Sequence, residues 1–522
     1  MQLVIVHYHL RPGGIRRIIE LATPHLVREA PRPITRVVLA TGQSADRPWH
    51  DHFARQLSGI PVKVVVAPSF NYLSEQRGSS KRITARLRRA LTKLFADCDS
   101  TNTLVWAHNL GVGRNLILSR ELANACAERD VPLVAHHHDW WFDNRWVRWP
   151  EMRRFGFRNL ADPAKVVFPW RGNSLHAAIN HADASILSRH FGKRSLWLPN
   201  LTEPAPSPPA TRVRVAHRWL RNKLAHDGAP VWLLPCRSLR RKNIAEALLL
   251  TRWLRPEAWL VVTGAASSAD EVPYFHALER AAHRHHWRLR LGVLAGDESR
   301  KPGVPELLAA SEAVLLTSIQ EGFGLPYLEA AAAQRPLIAR RLPNIAPDLD
   351  RFGFSFPQAY DEILISPELF DWQAERARQR ERFKTWRASM PASVRKQVSE
   401  PVLLVAKRPR AVPFSRFTLT AQLEILAQPA RETWAVCAPL NPFLDTWRQR
   451  AATGKLQVTP WPRTAKRWLG GEAYARRCFA ALQGGRDASS PPQSLPIAIQ
   501  SNFIGAKLDA RNLYPLLWSK NA

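Results

Sequence analysis

The most constraining stretch lies in the second half of the chain. An apolar run of strand length, Ala313-Val314-Leu315-Leu316-Thr317, leads into Ser318-Ile319-Gln320-Glu321-Gly322-Phe323-Gly324-Leu325-Pro326-Tyr327-Leu328-Glu329. Ala330 to Ala333 follow, four copies of the strongest helix former. The order is strand, glycine turn, helix N-terminus. Gly322 and Gly324 let the backbone bend and approach a ligand closely. The first N–H groups of a helix attract anions and polar oxygens. Glu321 sits at the turn and Glu329 about two helical turns further on, near the same face. Two carboxylates held this way suit the hydroxyls of a sugar and a ribose.

The same strand-and-helix rhythm runs through most of the chain. Expected strands in residues 1–200 are Leu3–His7, Thr35–Ala40, Val62–Ala67, Thr103–Ala107, Pro132–Ala135, Ala184–Leu187 and Ser195–Leu198, mostly unbroken Val/Ile/Leu runs of the kind buried on both faces of a parallel sheet. Helices are expected over Arg16–Arg28, Ser80–Phe95 and Arg114–Glu128. Residues 201–228 read as a connecting segment with the proline cluster Pro204–Pro209 and a helix Arg212–His226. A second α/β domain spans 229–365, with strands Val231–Pro235, Trp259–Thr263, Leu289–Leu294, Ala313–Thr317 and Leu337–Ala339. Both are doubly wound, Rossmann-like designs. Residues 366–400 hold a charged helix, Glu368–Arg387, and 401–522 read as an appendage with a low-complexity patch at Ser489–Pro492.

Three further loops carry chemistry. After the first strand comes His7-Tyr8-His9-Leu10-Arg11-Pro12-Gly13-Gly14, where two glycines permit close backbone approach to a diphosphate or an acceptor. After the strand at 132–135 come His136-His137-His138-Asp139-Trp140-Trp141. Three successive histidines suggest a metal, but neighbours on an extended segment point to opposite sides and no fourth-ligand pattern accompanies them. The aromatic, basic run Trp140–Trp149 suits stacking on sugar rings as an acceptor-side surface, or lying at a membrane interface, and equally covering the core as an ordinary lid. In the second domain, Cys236-Arg237-Ser238-Leu239-Arg240-Arg241-Lys242-Asn243 follows the first strand. Arg237 and Lys242, five positions apart in a loop, can converge on one diphosphate, whereas Arg240 and Arg241 read as solvated.

The EGFGLPYLE run from Glu321 to Glu329, the Arg237/Lys242 spacing and the early Gly13-Gly14 resemble retaining glycosyltransferase family 4 (glycosyltransferase group 1), over about residues 1–365. The resemblance implies a GT-B fold, two Rossmann-like domains facing a cleft, and retaining, metal-independent hexosyl transfer from a UDP- or GDP-linked sugar. It implies no cofactor beyond the donor. It assigns catalytic roles to His138, Arg237, Lys242 and Glu321, and donor binding to Gly13, Gly14, Gly264, Phe323, Gly324, Leu325 and Glu329. His136, His137 and His138 remain alternatives for the histidine that reaches the sugar. This chain departs from the family's usual pattern at Cys236, where glycine is common, and at Ala265-Ala266, where a second glycine often follows Gly264.

Composition narrows the setting. The chain has 522 residues, 45% hydrophobic and 23% charged, as an ordinary globular protein does. Its five cysteines are scattered with no CxxC pair, which argues against a disulfide scaffold or a thiolate zinc site and fits a reducing cytoplasm. No apolar run approaches the ~18 residues of a membrane span. Seventy-five Lys and Arg against 43 Asp and Glu give a net charge of +32. That charge is spread along the chain, so it supports a solvated basic surface, or peripheral contact with an anionic membrane, more than specific nucleic-acid binding. The acceptor is left open as a glycan, a lipid-linked sugar or a small molecule. A nucleotide-sugar epimerase, a phosphorylase-like enzyme and a non-catalytic polyanion-binding protein are the competing functions.

Overall fold

The computed structural model describes the chain apart from residues 144–145, 171–172, 205–206, 225–226, 267, 297–300, 407–408, 487–494 and 519–522. The patch at Ser489–Pro492, part of the proline cluster and the end of the helix expected to reach His226 lie outside the described residues. The chain forms two compact units. The first comprises Met1–Glu203, Ser389–Val398 and Thr464–Leu508, and the second Pro204–Ala388, Ser399–Arg463 and Asp509–Ala522.

Seven parallel strands build the first unit: β1 (Gln2–Val6), β2 (Arg36–Thr41), β3 (Val62–Val66), β4 (Thr103–His108), β5 (Leu133–His137), β6 (Ser174–Ala178) and β7 (Ser195–Trp197). Their order is β3-β2-β1-β4-β5-β6-β7. β1, β4 and β5 are buried along their whole length, which is why they read as continuous apolar runs. One expected strand, Ala184–Leu187, is instead part of a helix, His181–Phe191. A short apolar run fits either state. Here Asn180 decides it, its side chain accepting the Asp183 N–H at 2.8 Å as an N-cap. The strand in that region is β6, Ser-Leu-His-Ala-Ala, which lacks the β-branched residues that would have marked it.

The second unit repeats the plan with β8 (Val231–Arg237), β9 (Trp259–Gly264), β10 (Leu289–Arg290), β11 (Ala313–Leu316), β12 (Leu337–Arg340) and β13 (Gln358–Tyr360), in the order β10-β9-β8-β11-β12-β13. β10 stops four residues earlier than expected, close to Gly292, which adopts a left-handed φ of 65°. Each sheet reverses its strand order once, between β1 and β4 and between β8 and β11. In open α/β sheets ligands bind outside the C-terminal ends of the strands at such a reversal. Two doubly wound parallel-sheet units are the GT-B framework.

The residues after 400 do not stand apart as an appendage; they are divided between the two units and complete both cores. In the first unit, Gly471 N–H donates to Glu203 at 2.8 Å, Trp141 Nε1 donates to Gln500 at 3.2 Å, and Lys507 bridges Asp183 and Asp143 at 3.2 and 3.4 Å. In the second, Trp253 Nε1 donates to Thr433 at 3.0 Å and Arg416 donates to the Leu513 carbonyl at 2.8 Å. Arg340, fully buried, is forked onto Glu246 at 2.6 Å, and Tyr360 donates to the same carboxylate at 2.5 Å. The charged helix runs over Trp372–Ala388 within the second unit.

Candidate active site

In the second unit, two loops meet at the strand-order reversal. The loop after β8 tightens into a 3-10 turn, Arg240–Lys242, and Asn243 takes a left-handed conformation before the helix Ile244–Leu254. The loop after β11 begins at Thr317, whose hydroxyl donates to the carbonyls of Lys242 and Asn243 at 3.0 and 3.1 Å. Ile319 N–H donates to the Arg241 carbonyl at 2.9 Å. These bonds set the register of one loop against the other.

That register brings Lys242 and Glu321 together, both more than 90% buried. The Lys242 ammonium donates to Glu321 Oε1, as does the Ser318 hydroxyl at 2.7 Å. Arg241 Nη1 donates to Glu321 Oε2 at 2.7 Å and to the Gln320 carbonyl at 2.9 Å. Asn344 donates to the Glu321 carbonyl at 2.9 Å. Burial alone would favour a protonated Glu321, but Arg241 and Lys242 outweigh it and hold the carboxyl down at about 2. At neutral pH this is a fixed anion between two cations.

The other expected donor residues take distinct positions. Arg237 ends β8 with its side chain exposed. Gly264 ends β9, where a Cβ would lie 2.9 Å from Arg237 Cγ and 3.0 Å from its Cα. Packing against the β8 end therefore demands glycine there. Gly324 has a left-handed φ of 80°, and a Cβ on it would strike the Tyr327 ring at 2.7 Å. It caps the helix Leu325–Ala332, on which Glu329 is half-buried. The Phe323 ring is buried, so only its backbone can face a ligand. Cys236 is buried beside this loop, and burial raises its thiol to about 11.

Arg240 and Arg241, read from sequence as solvated, are both engaged. Arg240 is forked onto Glu271 at 3.2 Å, and its backbone N–H donates to the same carboxylate at 2.9 Å. Arg241, Ser318 and Asn344 are the site residues that the motif did not reveal. Ser318 stands three positions before Glu321, a spacing at which a turn folds side chain onto side chain. The only available signal for Arg241 was a second cation beside Lys242.

In the first unit the corresponding edge is lined with imidazole. His136 and His138, two apart on β5 and its extension, share a side with His108 at the end of β4; His108 Nδ1 lies 3.1 Å from His138 Nε2. His137 points the other way, 3.2 Å from His176 and stacked on Trp140. Packing thus places His137 on the opposite side of β5 from His136 and His138. His138 is held through its backbone N–H by Asn109 Oδ1 at 2.9 Å. Asn109 itself is left-handed, and its carbonyl accepts the Tyr8 hydroxyl at 2.9 Å. Burial holds these rings neutral: His136 and His7 fall to about 3, and His108 and His138 well below the ordinary histidine value. Gly13 and Gly14 open the helix Gly14–Arg28, and a Cβ at Gly14 would meet nothing within 4 Å, so internal packing does not require glycine there.

The acceptor-side aromatic surface expected of Trp140–Trp149 is not formed. Trp140, Trp141 and Trp146 are at most 1% exposed. Trp140 Nε1 donates to Asp183 at 2.8 Å, and its ring packs on Phe503 from the C-terminal part of the chain. Indole rings beside arginines looked solvent-facing because the residues that cover them lie some 350 positions away in sequence. Among the described residues no helix is long and apolar enough to cross a membrane.

Residues 218–349, which contain this whole second-unit site, match the family described as "Glycosyl transferases group 1". The chain is similar to the mannosylglucosyl-3-phosphoglycerate synthase of Petrotoga mobilis, with 25% identity over 373 residues, covering 70% of this chain and 69% of that protein. It is similar to the mannosylglucosylglycerate synthase of Thermotoga maritima, with 27% identity over 276 residues, covering 50% of this chain and 61% of that one. In structure it resembles the N-terminal domain of Candida albicans trehalose-6-phosphate phosphatase, with a TM-score of 0.50 at 10% identity over 93% of this chain and 99% of that one, a likeness of fold. Residues 218–349 thus match a group 1 glycosyltransferase domain, in a chain whose two parallel-sheet units have the GT-B fold.

Proposed function

We propose that the protein moves a hexosyl group from a nucleoside-diphosphate sugar to a hydroxyl acceptor with retention, as a family 4 enzyme, without a metal at the donor phosphates. The observation that carries this reading is the buried Lys242–Glu321–Arg241 cluster at the strand-order reversal of the second unit. Departure of a nucleoside diphosphate builds negative charge on oxygen. Arg237, exposed at the end of β8, and Lys242, whose ammonium has three donors, are the groups that would stabilise it. Glu321, fixed as an anion, would accept from the hydroxyls of the donor sugar and Glu329 from the ribose. The backbone at Phe323, Gly324 and Leu325, at the start of a helix, would meet the sugar and phosphate oxygens, with Gly264 beside the nucleotide. His138, neutral and ordered by Asn109, would contact sugar and acceptor, and Gly13 and Gly14 would admit substrate to the backbone.

The names of the two curated relatives favour a small acceptor of the glycosyl-glycerate kind, which carries a carboxylate, over a glycan or lipid-linked chain. Five buried free thiols fit work in the cytoplasm.

The test is a thermal-shift panel of UDP, GDP, ADP and their common sugar conjugates without metal. A ligand at ~100 times its Kd adds about 2.7 kcal/mol to stability. One nucleotide class should stabilise the protein and fail to stabilise Lys242→Ala, and that variant should lose at least about a hundredfold in transfer, roughly 3 kcal/mol. Near-normal turnover by Lys242→Ala would sink the site assignment, and product formed without an acceptor would point to an epimerase.

A further inference from the structure

Residues 218–349 match the family, yet the loop that carries Lys242 is tied to a residue outside that span. Lys242 ends the 3-10 turn, and Asn243 after it is fully buried in a left-handed conformation, with φ 48° and ψ 54°. Glycine takes that conformation without steric cost, whereas a residue with a side chain has to be held in it by its surroundings. Asn243 stands just before the helix Ile244–Leu254, where asparagine commonly caps the helix, but its side chain makes no cap bond. Its amide bonds other side chains instead. Nδ2 donates to Glu246 at 2.8 Å, and Oδ1 accepts from Gln422 Nε2 at 3.1 Å. We propose that Gln422 is a positioning residue for the donor site, fixing the backbone that presents Lys242 through its hydrogen bond to Asn243. The inference rests on the reading of Lys242 as a group that meets the donor diphosphate.

Three observations support it. The first is that the amide orientations are forced. The Phe414 carbonyl, 3.0 Å from Gln422 Nε2, can only accept, and so can the Glu246 carboxylate onto which Arg340 is forked. Gln422 therefore turns its donors toward Phe414 and Asn243, and Asn243 turns its own toward Glu246. The second is an imbalance. Gln422 is fully buried, yet its Oε1 has no hydrogen-bond partner among the described residues. The side chain is placed for its two donations and not for its own full satisfaction. The third is what stands behind the two anchors. Gln422 lies on the helix Leu419–Ala427, and the Thr418 cap of that helix bonds Glu375 through both its N–H and its hydroxyl at 2.7 Å. Leu419, Ile425 and Leu426 are buried in the same core as Ile244 and Leu248. Glu246 is gripped by Arg340 and Tyr360.

Asn243 is thus fastened on both ends of its amide to the packed core, while its carbonyl and that of Lys242 accept from Thr317. Lysine carries its charge on a flexible four-carbon stem, so the reach of that charge depends on where its backbone stands. The residues after 400 then do more than complete a core: one of them sets the loop of a site that the matched domain appears to contain by itself.

The test is a set of double-mutant cycles read by calorimetric titration with UDP, GDP and ADP, each alone. Gln422→Met keeps the length of the side chain and removes both donations. Asn243→Gly removes the same bond from its other end, in a residue that adopts the left-handed φ freely, and it carries the test if Gln422→Met does not fold. For whichever nucleotide binds wild type, each variant should weaken binding about fivefold or more, and that loss should shrink to less than about twofold when Lys242→Ala is already present. A merely structural role would give the same loss in both backgrounds. The control is Gln379→Met, which removes a buried amide that donates to Glu375 and to the Arg416 carbonyl, both at 2.8 Å, and bonds no residue of the 236–243 loop. It should leave affinity within about twofold of wild type. The inference alone is overturned if Gln422→Met and Asn243→Gly bind as wild type does while Lys242→Ala binds more weakly, or if their losses persist undiminished in Lys242→Ala. A Lys242→Ala protein that binds as tightly as wild type, or a wild type that binds none of the three nucleotides, overturns the donor-site reading and this inference together.

Discussion

The two strand-order reversals occupy the same place in sheets of the same order, yet their chemistry differs. In the second unit the edge between β8 and β11 holds Lys242, Arg241 and Glu321, two cations around one buried anion. In the first unit the edge around β1, β4 and β5 holds His7, His108, His136 and His138, which burial keeps uncharged. Topology selects where a site forms; the loops decide whether it is a set of fixed charges or a set of lone pairs. Fixed charges suit a substrate whose charge changes during reaction. Neutral imidazoles suit hydrogen bonding or ligation.

The sharpest way to break that comparison is to strip one charge from the second unit. Glu321→Gln leaves Lys242 and Arg241 without their anion and should cost about 3–5 kcal/mol in denaturant unfolding. The double variant Lys242→Met/Glu321→Gln removes the unpaired ammonium as well and should recover much of that loss while remaining inactive. A double variant as unstable as the single would mean that the pair is not what Glu321 is held for.

Acid separates the two edges. Unfolded histidines take up protons below about 6.5, while His7 and His136 in the folded chain do so only near 3 and His176 near 4. The unfolded state binds more protons between those values, so stability falls as pH drops below 6.5. Glu321 acts in a lower window. Its ionised, paired form stabilises the fold above about 4.5, and that contribution is lost as pH falls toward 2. Melts of wild type from pH 7 to 5 should therefore show a loss that Glu321→Gln shares and that His176→Gln reduces. A flat profile over that range would contradict the neutral-histidine description.

The smallest effect concerns the turn. Gly324→Ala places a side chain at a left-handed φ and against the Tyr327 ring, and should cost roughly 1–2 kcal/mol or more through backbone strain. Gly14→Ala, with open space at its Cβ, should leave stability within about half a kcal/mol. Any larger change in turnover at Gly14 would then report substrate approach, which is a separate matter from folding.

Much of this was legible locally. The strand–turn–helix at 313–333 is visible because β11 is an uninterrupted apolar run and the helix after it opens on Gly324 and continues in alanine. Lys242 and Glu321 could be singled out as residues, but not as a contact, since 79 positions separate them and bonds from Thr317 and Ile319 set the two loops in register. The same distance hid Arg241, whose partner is also Glu321. The strand expected at Ala184–Leu187 lies in the helix at 181–191, and β6 went unmarked, because short apolar runs carry no period of their own; a single cap at Asn180 resolves the helix.

By itself the amino-acid sequence determined the two alternating α/β stretches, the glycine turns and the kinds of charge at the donor loops, because propensity, periodicity and turn chemistry act between near neighbours. Tertiary structure alone decided which histidines share a side, that the tryptophans after Asp139 are core, and that the last 120 or so residues are divided between two bodies instead of forming a third. Those outcomes depend on burial by partners hundreds of positions away. Burial is a property of the assembled chain and cannot be read from any short segment of it.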